Sequence, residues 1–299
     1  MVVETPPLRI DRIYTSMAGP GERVGVNFAE LDWVTAFRTE VVLADGGKPM
    51  GEEFFCHAQL QVTNAQRLMV TATGISELRF PEGFAVPVAR LVSAPRGGAT
   101  GTSGGPLDLT FFGMALNNHD PGIDVQAKVR ATIEYWRAQE VGDPPRLKSL
   151  YRTELNMVVE EIKEYTSPDP NADVATHCAL VDGRIQHWLV PPGPQKTRKR
   201  ATWPHEDSTV HYATVHLHNH GVYMRLSDAT TGKMLWQTNA EYDRARRQIV
   251  RIAAYSSRKG FRLEKGHEYE IEAYYENTAA HDVDAMAMMA LFHHPVDEK

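Results

Sequence analysis

The stretch TVHLHNHGVYMRL, residues 214–226, alternates apolar side chains with three imidazoles and then meets a glycine. Successive side chains of a β-strand point to opposite faces. Val215 and Leu217 therefore take one face, and His216, His218 and His220 the other. Positions i and i+2 on one face lie about 6–7 Å apart, close enough for two imidazoles to converge on one ion. His216 and His218 meet that condition. His220 shares their parity but stands just before Gly221, where the strand bends away. His211 has the opposite parity to His216 and joins them only through a bulge or from a neighbouring turn. The bland alternative is a surface strand that carries histidines towards solvent.

Outward from this segment the chain continues as β. WVTAFRTEVVL (33–43), EFFCHAQLQV (53–62), DLTFFGMALNN (108–118) and VQAKVRATIEYW (125–136) are rich in Val, Thr, Phe and Tyr and bounded by Gly, Pro and Asp. TVHYATVHLH, YMRLSDA, KMLWQT, YEIEAYY and AMAMMALFHH continue the style. MVVEEIKEY (157–165) fits a short helix or a strand, and YDRARRQIVRI (242–252) a helical turn leading into a strand. RGGATGTSGG (96–105) reads as a flexible hairpin loop, and the basic run KTRKR (196–200) as a solvated loop. AQEVGDPPRLKS (138–149) marks a boundary. The expected architecture is all-β: two tandem antiparallel β-sandwiches of jelly-roll type, residues 1–150 and 151–299, each with its own apolar core.

A chain of 299 residues can bury such cores without disulfides, and its two cysteines, Cys56 and Cys178, exclude a disulfide scaffold and a zinc-finger array. They leave open one disulfide or two thiols. The net charge of −6 gives no reason to expect a nucleic-acid partner. No apolar run reaches membrane-spanning length. The opening MVVETPPLRI lacks the basic and apolar regions of a secretory leader, which fits a cytosolic protein and equally an exported one read without its leader.

Seven of the thirteen histidines fall between 177 and 220. His177 and His187, in THCALVDGRIQHW, are expected to be structural or surface residues. The distant segment VDAMAMMALFHH (283–294) places Met286 and Met288 on one strand face and Met289 on the other. Methionine stripes ordinarily pack cores. A thioether beside a histidine pair has a second meaning, because thioethers favour copper(I), imidazole suits copper, and zinc has no use for methionine. A thinner cluster lies in the first half, where His57 and His119 stand within or after strong strands. Cys56 points away from His57 if its strand is regular.

These motifs resemble the copper type II, ascorbate-dependent monooxygenases, the family of peptidylglycine α-hydroxylating monooxygenase and dopamine β-monooxygenase, and in particular their bacterial relatives. VHLHNHG is similar to the family's His-x-His strand, and Asp284-Ala285-Met286 to its methionine segment. LEKGHEYEIEAYYENT, with Gly266 and Asn277, has a similar cadence. The resemblance implies that His216, His218 and Met286 bind the copper that activates oxygen. FFCHAQL and ALNNHDPG, flanking RFPEGFAVPV (79–88), stand where the family binds a second copper with three histidines. Here Cys56 replaces one of them, leaving His57 and His119. His211 and His220 are further candidate ligands of the first copper.

What the resemblance implies is hydroxylation of a C–H bond in a small organic or peptide substrate, with copper as cofactor, ascorbate as external reductant, and an extracellular or periplasmic location. Asp228, Glu276 and Asp284 are candidate acceptors behind the imidazoles, and Arg225, Tyr223 and Arg244 are available to a substrate. Two alternatives are a copper-binding protein for sensing, storage, delivery or altered redox chemistry, and a cupin-like dioxygenase. No acid follows His218 as the cupin pattern requires.

Overall fold

The computed structural model describes residues 1–14, 18–26, 32–62, 67–88, 109–142, 146–158, 160–161, 184–203, 206–244 and 248–296. The glycine-rich stretch 96–105, His177 and Cys178 lie outside these residues, as does most of 157–165.

The period-two segments become strands where their patterns place them. Residues 2–149 contribute β1 (Val2–Glu4), β2 (Leu8–Ile10), β3 (Gly21–Val26), β4 (Trp33–Leu43), β5 (Phe55–Val62), β6 (Arg67–Ala72), β7 (Glu77–Arg79), β8 (Phe84–Pro87), β9 (Leu109–Ala115), β10 (Val125–Trp136) and β11 (Lys148–Ser149). Five form a sheet in the order β1-β10-β4-β8-β11, with β2 added on β10 and β7 on β4. A second sheet runs β3-β9-β5-β6. Along β10, Ala127, Val129, Ala131 and Ile133 all turn inward. The second sheet approaches that face closely, because Gly113 of β9 has no side chain: a Cβ there would fall 2.5 Å from that of Val129.

The later residues contribute β12 (Tyr151–Asn156), β13 (Glu160–Glu161), β14 (Arg184–Ile185), β15 (Trp188–Val190), β16 (Gly193–Thr202), β17 (Ser208–Leu217), β18 (Gly221–Asp228), β19 (Lys233–Tyr242), β20 (Ile249–Ile252), β21 (Tyr255–Leu263), β22 (Glu268–Asn277), β23 (Val283–Ala285) and β24 (Ala287–Pro295). They assemble as β12-β24-β17-β21, as β16-β22-β18-β19-β20, and as the two-stranded ladders β13-β14 and β15-β23. The run KTRKR is not a loop. It lies within β16, an edge strand, where Arg198 meets Glu272 and Arg200 meets Glu268 and Glu270 of β22. Cross-strand carboxylates neutralise the run and leave a charged edge that resists further strand pairing. The stretch read as a connector holds a four-residue helix, Ala138–Val141.

The result is an all-β, multi-sheet, jelly-roll-like architecture. Among the described strands, those of residues 2–149 pair only with each other, and so do those of residues 151–295. Most of the buried apolar side chains nevertheless belong to one continuous cluster from Leu8 to Phe292, with smaller groups around Met114 and around Trp33. Phe80 explains the continuity: its ring packs 5.3 Å from Tyr212 and 4.9 Å from Phe292. Nearby, Phe84 stacks on His211 at 3.9 Å, and the Ile252 N–H donates to the Gly74 carbonyl at 2.9 Å. Glu154 is held in the same seam by Arg152 (2.8 Å), Gln186 (3.0 Å) and Arg67 (3.4 Å). No helix among the described residues is long and apolar enough to cross a membrane.

Candidate metal centre

Strand β17 pairs with β24 so that His216 lies opposite Met288 and Leu217 opposite Ala287. One step further, the His218 N–H donates to the Met286 carbonyl at 3.2 Å, which also accepts the Tyr275 hydroxyl at 2.6 Å. His218 is thereby fixed beside the junction of β23 and β24. The short ladder β15-β23 sets Leu189 opposite Asp284, and so brings His187, the residue before β15, to the same junction.

Asp284 is the centre of the arrangement. Its carboxylate lies 2.8 Å from Nδ1 of His218 and 3.0 and 3.2 Å from Nδ1 of His187. Burial alone would raise its pKa, but the two imidazoles more than reverse this and hold the carboxyl well below its usual range. Burial lowers the pKa of His187, which keeps that ring in its neutral, metal-ligating form. His187, His218 and Asp284 offer ligand atoms all within 4.8 Å of one another. The two rings stand 5.0 Å apart. Imidazoles on one tetrahedral ion, at about 2.0–2.1 Å per bond, have centroids separated by roughly 5 Å.

His216 is the next residue outward, its ring 5.1 Å from that of His218. It is buried, burial and the neighbouring imidazoles depress its pKa strongly, and its Nδ1 has no hydrogen-bond partner among the described residues. On its far side stands His57, ring to ring at 6.3 Å. Cys56 is not turned away from His57. The register of β5 against β9 shifts between Phe55 and His57, and this bulge lets Cys56 Sγ approach His57 Nδ1 at 3.3 Å. Cys56 is a free, buried thiol whose pKa is pushed up to about 12, by burial first and then by the charge of Asp284.

The other candidates lie elsewhere. His119 packs on Phe54 (5.4 Å) and sits against Asn118. His211 occupies a register shift in β17 and, stacked on Phe84, contacts the Ser257 carbonyl through Nδ1 at 3.1 Å. His220 adopts a left-handed conformation (φ 72°) in the β17–β18 turn, which takes it off the strand's alternation; its Nδ1 accepts the Thr278 N–H at 3.4 Å. Asp228 serves His267 at 2.9 Å. Tyr223 and Arg225 both bind the buried carboxylate of Glu272, at 2.7 and 2.9 Å. Of the three acceptors named from the sequence, Asp284 is the one that holds an imidazole of the cluster. His187 was not among the candidate ligands named from the sequence: its contact with Asp284 depends on a ladder that joins residues 97 positions apart, and the only signal was a histidine heading a short apolar strand.

No protein-family profile matches the chain, and no curated protein does. Among solved structures it is similar, at 10% identity over 100% of this chain and 98% of the other, to a peptide-N(4)-(N-acetyl-β-D-glucosaminyl) asparagine amidase, with a TM-score of 0.42. It is also similar to the major capsid protein P2 of bacteriophage PM2, at 11% identity over 100% and 99% of the two chains and a TM-score of 0.31. Likenesses this weak assign neither family nor activity. The resemblance drawn from the sequence is corrected on other grounds: no family profile, that of the copper monooxygenases included, matches the chain. Among the described residues, the cluster able to hold a metal is His187, His218 and Asp284, and no two-copper arrangement of the monooxygenase kind is evident. The oxidoreductase reading, with ascorbate as reductant and secretion as corollary, falls with that family.

Proposed function

We propose that this is a metal-binding protein whose centre is built on His187, His218 and Asp284 at the seam between two β-sandwich units, residues 1–150 and 151–299. The observation that carries the reading is the single buried carboxylate shared by two imidazoles. A carboxylate on Nδ1 fixes the tautomer and direction of a histidine whose other nitrogen ligates a metal, and raises its basicity. A first-row divalent ion is the chemical match, since imidazole suits copper, zinc, iron and nickel alike. His216 is the additional nitrogen donor, 5.1 Å from His218 by ring centroid. Met286, whose carbonyl accepts the His218 N–H, is the proposed thioether donor; imidazole with thioether selects copper.

Metal counting on protein loaded separately with copper(II) and zinc(II), then freed of excess ion, tests the proposal. One ion per chain is expected, lost in His187→Ala, His218→Ala and Asp284→Ala and kept in His119→Ala and His211→Ala. Copper retention that falls in Met286→Ala while zinc retention does not supports the thioether. Unchanged stoichiometry in the His187/His218/Asp284 triple variant overturns the centre.

A further inference from the structure

One face of the sheet β3-β9-β5-β6 meets the later sheets, and it carries positive charge. Arg23 of β3, Phe112 of β9 and Gln59 of β5 stand in one cross-strand row, so their side chains share a face. His57, two residues before Gln59, shares it too. This face meets β17, because the His57 ring stands beside that of His216. Arg67, at the start of β6, reaches the same seam: its guanidinium lies 3.4 Å from Glu154 and 3.5 Å from the Gln186 amide oxygen.

Arg23 and Arg67 are short of counter-charge. Arg152 holds the Glu154 carboxylate at 2.8 Å, which leaves Arg67, at 3.4 Å, a loose share in it. A charged N–H···O bond is ordinarily about 2.7–2.9 Å long. The Arg23 guanidinium lies over the Phe112 ring at 5.6 Å and has no ion-pair partner among the described residues. Its pKa is lowered, by burial first and then by the nearby charge of Arg67. Gln59, on a strand between theirs, is 9% exposed, and its amide has no hydrogen-bond partner among the described residues. Two like charges beside an unmatched amide are unfavourable until an anion joins them. A ligand can reach both arginines, since Arg23 is exposed and the Arg67 side chain is 20% exposed.

We infer that Arg23, Arg67 and Gln59 form a binding site for the oxyanion group, carboxylate or phosphate, of a small molecule. The planar guanidinium fork matches either group with paired hydrogen bonds. The Gln59 amide supplies a further N–H, and its near burial suits a small anion rather than a polymer. The site rests on this face alone and holds whether or not the imidazole cluster takes an ion.

Titration of the full chain, stripped of metal and dialysed, with inorganic phosphate and with acetate tests this. The Nε–H resonances of the arginines are followed, and sodium chloride at equal ionic strength is the control for screening. Saturable shifts of the Arg23 and Arg67 resonances are expected, and the anion that binds more tightly names the group. Arg23→Gln and Arg67→Gln should each weaken that binding about tenfold. Should Arg67→Gln not fold for want of its contact with Glu154, Arg23→Gln removes an exposed side chain and decides alone. The site is overturned if neither anion gives saturable shifts beyond those of chloride, or if folded Arg23→Gln binds as tightly as the parent.

Discussion

The imidazole ring of His57 stands 6.3 Å from that of His216, although β5, which carries the first, belongs to a sheet of residues 21–115 and β17, which carries the second, to a sheet of residues 151–295. The seam thus gathers His57, His216, His218 and His187 in sequence, ring beside ring. Copper(II) bound by His187 and His218 should broaden the ring resonances of these four histidines together. Those of His119 and His211, which pack on Phe54 and Phe84, should remain sharp. Nitrogen-15 imidazole spectra recorded during a copper titration measure this. Broadening that reaches His119 before His57 places the ion elsewhere.

Asp284→Asn should weaken metal binding by about 10–100-fold, the usual loss when the carboxylate behind a ligating histidine is removed. Chelator competition reads the affinity. Asparagine preserves shape and one hydrogen bond, so the fold should persist. An affinity equal to that of the parent would remove Asp284 from the centre.

Cys56 should be silent to thiol reagents in the folded protein. Burial pushes its pKa up to about 12, leaving almost no thiolate at pH 8. In a Cys178→Ser background, a chromogenic disulfide reagent should find no reactive thiol before unfolding and one after. Rapid reaction of the folded protein would show that the β5 bulge exposes the sulfur.

Acid should destabilise the fold in two successive windows. Burial, aided by His294, lowers the pKa of His293 from 6.5 to about 4. The unfolded chain therefore binds this proton first, and stability is lost as pH falls from 6.5 towards 4. Burial raises the pKa of Glu154, but Arg152 and Arg67 outweigh it and hold the carboxyl at about 2 instead of 4.5. Its contribution is present above pH 4.5 and lost as pH falls from there towards 2. Urea denaturation across pH should show the upper window shrink in His293→Phe and the lower one in Glu154→Gln, the remainder coming from the depressed imidazoles of His187 and His216 and from Asp284. At neutral pH Glu154→Gln should cost about 3 kcal/mol, because Arg152 stays buried without its counter-charge.

Gly113→Ala should destabilise the fold by about 1–3 kcal/mol, the ordinary penalty of overpacking. The added Cβ would press on the Val129 side chain at 2.5 Å. Thermal unfolding of the single variant measures the loss. A double variant with Val129→Ala should recover part of it, which a purely local effect at residue 113 would not permit.

The strands were legible wherever alternation was strong: WVTAFRTEVVL and VQAKVRATIEYW match β4 and β10 end to end. Alternation reports which faces are apolar, not which residues from distant strands share a face. His216 and His218 were visible as a pair for the first reason. His187 joins His218 through the second, by way of the β15-β23 ladder. The KTRKR run misled because its charge suggested solvent, whereas the matching glutamates lie more than sixty positions later in β22. Cys56 and His57 were assigned opposite faces because a bulge leaves no compositional mark in FFCHAQL, and His220 was left uncertain because its departure depends on a backbone angle.

β24 is the second strand of the sheet β12-β24-β17-β21, flanked on both sides by strands made before it. During synthesis, β12 and β17 must therefore wait, each with a hydrogen-bonding edge open, until residues 287–295 leave the ribosome. Long-range closure of this kind is slow, and an unpaired edge held open is an invitation to pair with another nascent chain. The earlier sheets close in the same way but sooner in synthesis, β9 between β3 and β5 by residue 115 and β10 between β1 and β4 by residue 136. The order of translation thus makes the first half a finished surface on which the second can close, and makes late truncation far more damaging than its few residues suggest.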